Sequence, residues 1–314
     1  MNDFDGLVPV LEMGGTHVTS ALVAMSGPEP VVVEHYRAPL HADASADVIV
    51  ATLAFAAAQL TVEGSLVWGV AVPGPFDYEH GIGMYEDVGK FDQLRGFDLG
   101  TALGDAILPR PASIRFLNDA DAFGLGECAA GAGRLYDRAV CLTLGTGVGS
   151  AFIDRGIAVN EGPDVPPEGS AHLLRWNGAP LEETVSRRAI RRHYTYLTGE
   201  STDVREIAER ARLGELEAAL VLNTAMRALG EGIAPWIASF GASVVVVGGS
   251  ISGSWDVLER ALRMGITETH PDLGAVPLRV AELPEEAPLV GAAAFVGAAN
   301  ESIRENSNWS APSP

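Results

Sequence analysis

Two glycine-rich turns hold the residues of this chain that are best suited to bind an anion. They are Gly14-Gly15-Thr16 and Gly145-Thr146-Gly147, and each lies between two apolar runs typical of β-strands. Glycine lets a strand reverse tightly and exposes backbone N–H groups that converge on an anion, while the threonine hydroxyls can donate to phosphate oxygens. The pair predicts two related β-hairpins that bind one nucleotide, although either turn alone is equally typical of an ordinary hairpin.

A neighbouring Asn-Asp pair supplies groups for acid–base chemistry. Asn118 and Asp119 follow an apolar run at 113–117 and precede an alanine-containing helical pattern. An aspartate at such a strand-to-helix transition can accept a proton from a hydroxyl group, and the amide of Asn118 can both donate and accept hydrogen bonds. Asn and Asp are also common N-terminal caps of helices, and the pair taken alone favours that structural role.

The elements that position these residues alternate between strands and helices. β-Branched and apolar runs predict strands at 8–12, 18–25, 31–37, 66–72, 113–117, 139–144, 150–154, 244–247 and 278–281. Helical spacing predicts helices at 47–61, 99–107, 120–130, within 181–240, and at 255–264 and 289–299. Asp43 or Ser45 is the expected cap of the first helix, and 300–314 is expected to be a frayed polar tail. This alternation indicates an α/β fold with mixed sheets.

Composition narrows the class of protein. The chain has 314 residues, 47% of them hydrophobic and 20% charged, which is typical of a globular protein of one or two domains. Its formal net charge of −20 argues against a nucleic-acid partner, but backbone N–H groups and a metal ion can still bind ATP. The two cysteines, Cys128 and Cys141, cannot build a disulfide framework. We find no signal peptide and no bilayer-spanning run, so we expect a cytoplasmic protein with no membrane partner.

The glycine turns and the Asn-Asp pair occur together with two further motifs, Gly69-Val-Ala-Val-Pro-Gly-Pro75 and Val244-Val-Val-Val-Gly-Gly-Ser-Ile251. In this order and at these separations, the chain resembles the ROK family of sugar kinases, within the actin/hexokinase-like ATPase group. The resemblance covers residues 11 to 297. It implies a two-domain actin/hexokinase-like (ribonuclease H-like) α/β fold with an interdomain cleft. The expected domains are 1–117, joined by the helix 289–299, and 118–288, followed by a polar tail at 300–314.

The resemblance also implies an activity, which is ATP-dependent phosphorylation of a primary hydroxyl of a hexose or amino-hexose. It gives Asp119 the role of base and implies a homodimer with a small-molecule sugar as substrate. The implied sugar contacts are Gly74, Asn118, Asp119, Glu168, His172 and Glu182. The implied nucleotide contacts are Gly14, Gly15, Thr16, Gly145, Thr146, Gly147, Gly248 and Gly249, with Glu12 positioning Mg²⁺. The last two glycines are equally consistent with close helix–sheet packing, and His172 with an ordinary surface histidine.

The chain departs from the family pattern at several positions. Glu12 stands where the family has Asp, and Asp121 where it usually has Asn. The segment 167–184 lacks the family's cysteine cluster, so no zinc is expected. Glu86 and Asp87 replace residues that border the sugar, and with Glu168 and Glu182 they would suit a substrate that bears an ammonium group. The alternative for Glu86 and Asp87 is a solvated acidic loop.

Two other functions of the same family are consistent with parts of the sequence. One is a sugar-responsive repressor, but the first glycine turn begins near Leu11, too early for a preceding helix-turn-helix domain. The other is a catalytically impaired sugar sensor, indicated by Glu12 and the missing cysteines. The sequence leaves the sugar open among glucose, mannose and amino-hexoses such as 3-amino-glucose.

Overall fold

The computed structural model describes residues 6–86 and 88–308, with side chains except at 299–308. The elements up to residue 130 are β1 (Leu7–Met13), β2 (His17–Ala24), β3 (Val31–Pro39), α1 (Ala46–Ala57), β4 (Val67–Val72), β5 (Phe76–Asp77), β6 (Ile82–Gly83), α2 (Leu99–Ala106), β7 (Ser113–Asn118) and α3 (Asp119–Ala130). The later elements are β8 (Arg138–Leu144), β9 (Val148–Asp154), β10 (Ile157–Ala158), β11 (Arg175–Trp176), β12 (Ala179–Pro180), α4 (Glu182–Val185), α5 (Arg187–Thr198), α6 (Val204–Arg212), α7 (Leu216–Phe240), β13 (Val244–Gly248), α8 (Trp255–Thr269), β14 (Leu278–Val280) and α9 (Ala287–Asn308). The predicted α/β class is confirmed.

Two compact units make up the chain. Unit 1 consists of the described residues within 1–130 and 285–308, and unit 2 consists of residues 131–284. Helices α3 and α9 both belong to unit 1, where small residues let their backbones approach closely. A Cβ atom on Gly126 would collide with the backbone of Ala287, and one on Gly291 with that of Ala122. The domain boundaries expected from the sequence, 117/118 and 288/289, stay predictions.

Each unit contains one five-stranded sheet, and the two sheets share one strand pattern. The order is β3-β2-β1-β4-β7 in unit 1 and β10-β9-β8-β13-β14 in unit 2. In each, the first three strands in sequence pair antiparallel and the later two add in parallel. The first glycine turn joins β1 to β2 and the second joins β8 to β9, so the two turns occupy equivalent places. The prediction of two related hairpins is confirmed.

The parallel strands lie in the cores of their units. All five residues of β13 are buried, between β8 and β14, and the second to sixth residues of β4 are buried between β1 and β7. Strands covered on both faces read as continuous apolar runs, which explains why the four consecutive valines of β13 were recognisable as a strand.

Two sequence expectations differ from the structure. Ser45 occupies the N-cap position of α1 but makes no side-chain hydrogen bond to the helix, so it does not cap α1 through its hydroxyl. Helix α9 continues to Asn308, beyond the predicted end at 299, because the sequence from 300 to 308 contains no glycine or proline that would end it. The rest of the expected tail, 309–314, lies outside the described residues.

Within residues 6–86 and 88–308, none of the helices combines the length and the apolar character that a membrane span requires.

Candidate active site

The carboxyl ends of three neighbouring parallel strands meet at one edge of the unit 1 sheet. Glu12 of β1 pairs in register with Ala71 of β4, and Val72 of β4 pairs with Asn118 of β7. The loops that leave this edge carry the first glycine turn, Gly74 and Asp119. Ligands of open α/β sheets bind outside the carboxyl ends of the strands, so this edge is the candidate site of unit 1.

Asn118 uses both ends of its amide group. Its Oδ1 accepts a hydrogen bond from the backbone N–H of Ala120 at 2.9 Å, and its Nδ2 donates to the hydroxyl of Tyr78 at 2.9 Å. Asn118 therefore caps α3, the structural role that the sequence pattern alone favours. Gly74 is close to this pair, since a Cβ atom added there would lie 3.3 Å from the Tyr78 hydroxyl and 3.8 Å from Asn118 Nδ2.

Asp119, the first residue of α3, has an unusual electrostatic environment. Its side chain keeps some accessible surface, but surrounding protein atoms desolvate the carboxylate and thereby raise its pKa. The positive charge of Lys90 acts in the opposite direction and lowers this pKa, while the negative charge of Glu12 raises it further. A carboxylate whose proton affinity is raised in this way is a stronger base than one in water.

The first glycine turn is open to solvent on one side. Gly15 and Thr16 are exposed, and a Cβ atom added to Gly15 would meet no atom within 4 Å. On the other side, the N–H of Gly14 donates to the carbonyl of His17 at 2.9 Å and closes the hairpin. The turn thus presents backbone and one hydroxyl to solvent with little side-chain obstruction, as an anion site requires.

Glu12 and His17 flank this turn, with Glu12 Oε2 3.5 Å from His17 Nε2. Mg²⁺ is usually held by one or two carboxylates together with substrate phosphates and water. Glu12 and Asp119 offer carboxylate oxygens at one sheet edge, and the negative charge of Glu12 raises the pKa of Asp119. This set of oxygen donors fits magnesium held jointly with a nucleotide.

The second glycine turn is fixed by the segment that begins α4 and α5. Glu182 Oε1 accepts a hydrogen bond from the N–H of Val148 at 3.2 Å, and the N–H of Arg187 donates to the carbonyl of Gly145 at 2.9 Å. A Cβ atom on Gly147 would lie too close to Glu182 Oε1, so a larger residue there would have to displace this side chain. Glu182 therefore contacts the second glycine turn, a contact that the sequence analysis did not anticipate.

Gly248 ends β13, and Gly249 after it lies against Leu144, the residue that precedes the same turn. The N–H of Ile251 donates to the carbonyl of Leu144 at 3.1 Å, and Gly249 has φ +84° and packs against the backbone of Leu144. Unit 2 thus brings together Gly248, Gly249 and the second glycine turn.

The loop with Glu168 and His172 is held to β9 by one buried hydroxyl. Ser150 Oγ donates to the carbonyl of Gly169 at 2.6 Å and accepts from the N–H of Ala171 at 2.8 Å. Glu168 and His172 themselves are exposed.

Several groups near the predicted site residues were missed by the sequence analysis. Tyr78 binds Asn118, His17 contacts Glu12, and Lys90 acts on Asp119. Lys90 is the only lysine of the chain, and this rarity was a sequence signal that could have drawn attention to it. Tyr78 and His17 carried no comparable signal.

No group of three or more His, Cys, Asp or Glu side chains suited to a metal ion occurs in the part of the chain that the structure describes. The absence of zinc stays a prediction, and elemental analysis of purified protein is expected to find no stoichiometric zinc. EDTA is expected to stop turnover by removing magnesium, without lowering the thermal unfolding midpoint, because we expect no structural metal in the fold. One zinc per chain, or unfolding in EDTA, would contradict this prediction.

Comparison with known proteins agrees with this arrangement. The model of the ROK family matches residues 9–172 and 175–299. A glucokinase of Thermotoga maritima is 29% identical over 253 residues, which are 73% of this chain and 78% of that protein.

Solved structures agree on the fold. The crystal structure of a ROK hexokinase from Thermus thermophilus is 26% identical, covers 94% of this chain and 99% of its own, and superposes with a TM-score of 0.77. A ROK family transcriptional regulator, a homolog of the E. coli MLC protein, is 23% identical over 93% of this chain and 78% of its own, with a TM-score of 0.73. The actin/hexokinase-like fold expected from the sequence is confirmed.

Proposed function

This chain belongs to the ROK family, and on that premise we propose that it is an ATP-dependent sugar kinase. The proposed reaction transfers the γ-phosphoryl group of ATP to a primary hydroxyl, O6, of a hexose or amino-hexose. The named relatives support the class of reaction, since one is a glucokinase and another a hexokinase. The proposal includes Mg²⁺ as cofactor, a cytoplasmic location and a homodimer.

The observation that carries the proposal is the desolvated carboxylate of Asp119 at the sheet edge that also bears Asn118 and the first glycine turn. Burying the charge of this carboxylate is unfavourable for the fold, even though its Oδ1 accepts a hydrogen bond from the N–H of Ala120. The raised pKa of Asp119 suits a general base, because such a base must bind the proton that it removes from a hydroxyl group.

In the proposed reaction, Asp119 accepts the proton of the sugar hydroxyl as that oxygen forms its bond to the γ-phosphorus. The bond from the γ-phosphorus to the bridging oxygen breaks, and ADP carries away the electron pair. Asn118 and Gly74 orient the sugar, and backbone N–H groups of the glycine turns bind phosphate oxygens. Mg²⁺, when bound with the nucleotide near Glu12, supplies positive charge that stabilises the phosphates.

A coupled assay of ADP release over glucose, mannose, glucosamine, 3-amino-glucose, N-acetylmannosamine and allose tests the proposal. Turnover with at least one sugar, dependent on that sugar and on Mg²⁺, is the expected result. Sugar binding by calorimetry without ADP release would favour the catalytically impaired sensor. That alternative is kept because the ROK fold also occurs in a transcriptional regulator and because Glu12 replaces the family's Asp.

The preference for an amino-hexose rests on fewer carboxylates than the sequence suggested. Glu86 Oε1 lies 2.5 Å from Arg95 Nη2, so its charge is compensated by an exposed ion pair, and Asp87 lies outside the described residues. Glu182 binds the second glycine turn. Glu168 is exposed and forms none of the ion pairs found among the described residues.

We predict that kcat/KM for 3-amino-glucose exceeds that for glucose, because a carboxylate binds an ammonium group more strongly than a neutral hydroxyl. The preference is expected to weaken as the pH rises through the pKa of the amine, and to shrink in Glu168→Gln. Steady-state kinetics with both sugars across this pH range measure it. Equal efficiency at every pH would make the protein a general hexose kinase, with these carboxylates only solvated.

A further inference from the structure

Helix α5 presents four arginines on one side. Arg187, Arg188, Arg191 and Arg192 occupy positions i, i+1, i+4 and i+5, which share a face of an α-helix, while Ala189, Ile190 and Tyr194 are buried on the opposite face. The side chains of Arg188 and Arg192 are 71% and 52% exposed, which leaves them accessible to a ligand. Four cations within six residues contrast with the net charge of −20 of the chain.

This arginine face lines a cavity next to the second glycine turn. The cavity has a volume of about 500 Å³, and its walls include the four arginines and Thr146. The hydrogen bond from the N–H of Arg187 to the carbonyl of Gly145 fixes the first turn of α5 against the glycine turn. The four arginines and Thr146 therefore line one cavity within unit 2.

Acidic side chains compensate only half of this positive charge. Glu183 pairs with both Arg188 and Arg192, through contacts of 3.0 and 2.7 Å, and Asp203 pairs with Arg187. Arg191 donates to the backbone carbonyl of Thr202 at 3.0 Å. Among the residues that the structure describes, the four arginines thus form ion pairs with two carboxylates, those of Glu183 and Asp203.

We propose that the arginine face of α5 is an oligophosphate-binding site that is continuous with the second glycine turn. This inference rests on the proposed function, because it makes the cavity the place where the phosphate chain of the donor extends beyond the glycine turn. Donor binding then depends on side-chain cations, and not only on the backbone N–H groups that the sequence pattern indicated.

The chemistry of the face favours a chain of phosphates over a single anion. A guanidinium group binds two oxygens of one phosphate in a fork, and four such groups spread along more than one helical turn match several phosphates in a row. Thr146, which also lines the cavity, adds a hydroxyl donor at the end nearest the glycine turn.

Calorimetric titration with inorganic phosphate, pyrophosphate and tripolyphosphate, without nucleotide or sugar, tests the inference directly. Affinity is expected to rise with chain length and to fall as salt is added. In the double variant Arg188→Gln/Arg192→Gln, binding of tripolyphosphate is expected to weaken about tenfold or more through the loss of two charge-assisted contacts. Both side chains are exposed, so the fold is expected to tolerate the change.

Two further variants separate this site from a general charge effect. Arg110→Gln/Arg155→Gln removes two exposed arginines elsewhere and is expected to bind tripolyphosphate like the unmodified protein. Glu183→Gln releases Arg188 and Arg192 from their carboxylate and is expected to bind it more tightly. A purely structural ion pair would not produce this opposite effect.

The outcomes distinguish this inference from the proposed kinase activity. Equal affinity of the unmodified protein and the α5 variant for tripolyphosphate would overturn the site, whether or not the protein releases ADP. Equal affinity for phosphate and tripolyphosphate would reduce it to a site for one anion and overturn the oligophosphate assignment. Chain-length-dependent binding without turnover on any sugar would support the site and contradict the kinase proposal.

Discussion

Replacing Asp119 by asparagine is expected to lower kcat by about 10²–10⁴-fold, the usual contribution of a general base. Asparagine keeps the shape of the side chain and its Oδ1, which accepts from the N–H of Ala120 at 2.9 Å, but it cannot take up the hydroxyl proton. Sugar affinity measured by calorimetry should therefore change little. ADP release and sugar binding, measured on the same preparation, separate the two effects.

The same substitution is expected to stabilise the fold at neutral pH. Burial raises the pKa of Asp119 in the folded protein, so the unfolded chain releases this proton at lower pH. The contribution of Asp119 to the free energy of unfolding is therefore fully present below the ordinary pKa of aspartate. It is lost as the pH rises through the raised pKa of Asp119 in the folded protein. The amide of the Asp119→Asn variant does not ionise, so the unfolding midpoint of the variant should exceed that of the unmodified protein more at pH 7.5 than near 3.8, the ordinary pKa of aspartate.

Asp121→Asn is the matched control, because it makes the same chemical change one residue beyond Ala120 on the same helix. Asp121 stands where the family usually has asparagine, and we give it no part in the reaction. Its kcat should stay within a few-fold of the unmodified value. If Asp119→Asn also retained near-normal kcat, Asp119 would be only a residue of the helix start and the base would lie elsewhere.

The fold could be predicted from the sequence because its signals are local. A glycine turn between two apolar strands specifies a hairpin, and the valines of β13 specify a buried strand, without knowledge of distant residues. The equivalent places of the two turns in their sheets then follow from the repeated strand pattern.

The environment of each site residue could not be predicted in this way, because it depends on contacts between distant parts of the chain. Glu86 forms an exposed ion pair with Arg95, a partner that its sequence position did not indicate. Glu182 stays a predicted sugar contact, and its carboxylate also accepts a hydrogen bond from Val148 of the glycine hairpin, 34 residues earlier. The positions of Arg95 and Val148 in the sequence do not indicate that they contact Glu86 and Glu182.

Lys90→Met is expected to move the acid limb of the pH profile of kcat/KM to higher pH. The charge of Lys90 lowers the pKa of Asp119, in opposition to burial and to Glu12, which raise it. Without the lysine, Asp119 binds its proton more strongly and is ionised in a smaller fraction of molecules at a given pH. On the acid limb, each pH unit of displacement lowers kcat/KM about tenfold, because only the ionised carboxylate acts as a base.

The control for this prediction is Lys90→Arg, which keeps a positive charge at the same position and should leave the limb where it is. Glu12→Gln removes the negative charge that raises the pKa of Asp119, so its acid limb should move in the opposite direction to that of Lys90→Met. This shift is expected even if the loss of the carboxylate proposed to bind magnesium lowers the maximal rate. Measuring kcat/KM as a function of pH for the three variants tests this prediction. If Lys90→Met lowered kcat/KM equally at every pH, the lysine would act on the substrates and not through the ionisation of Asp119.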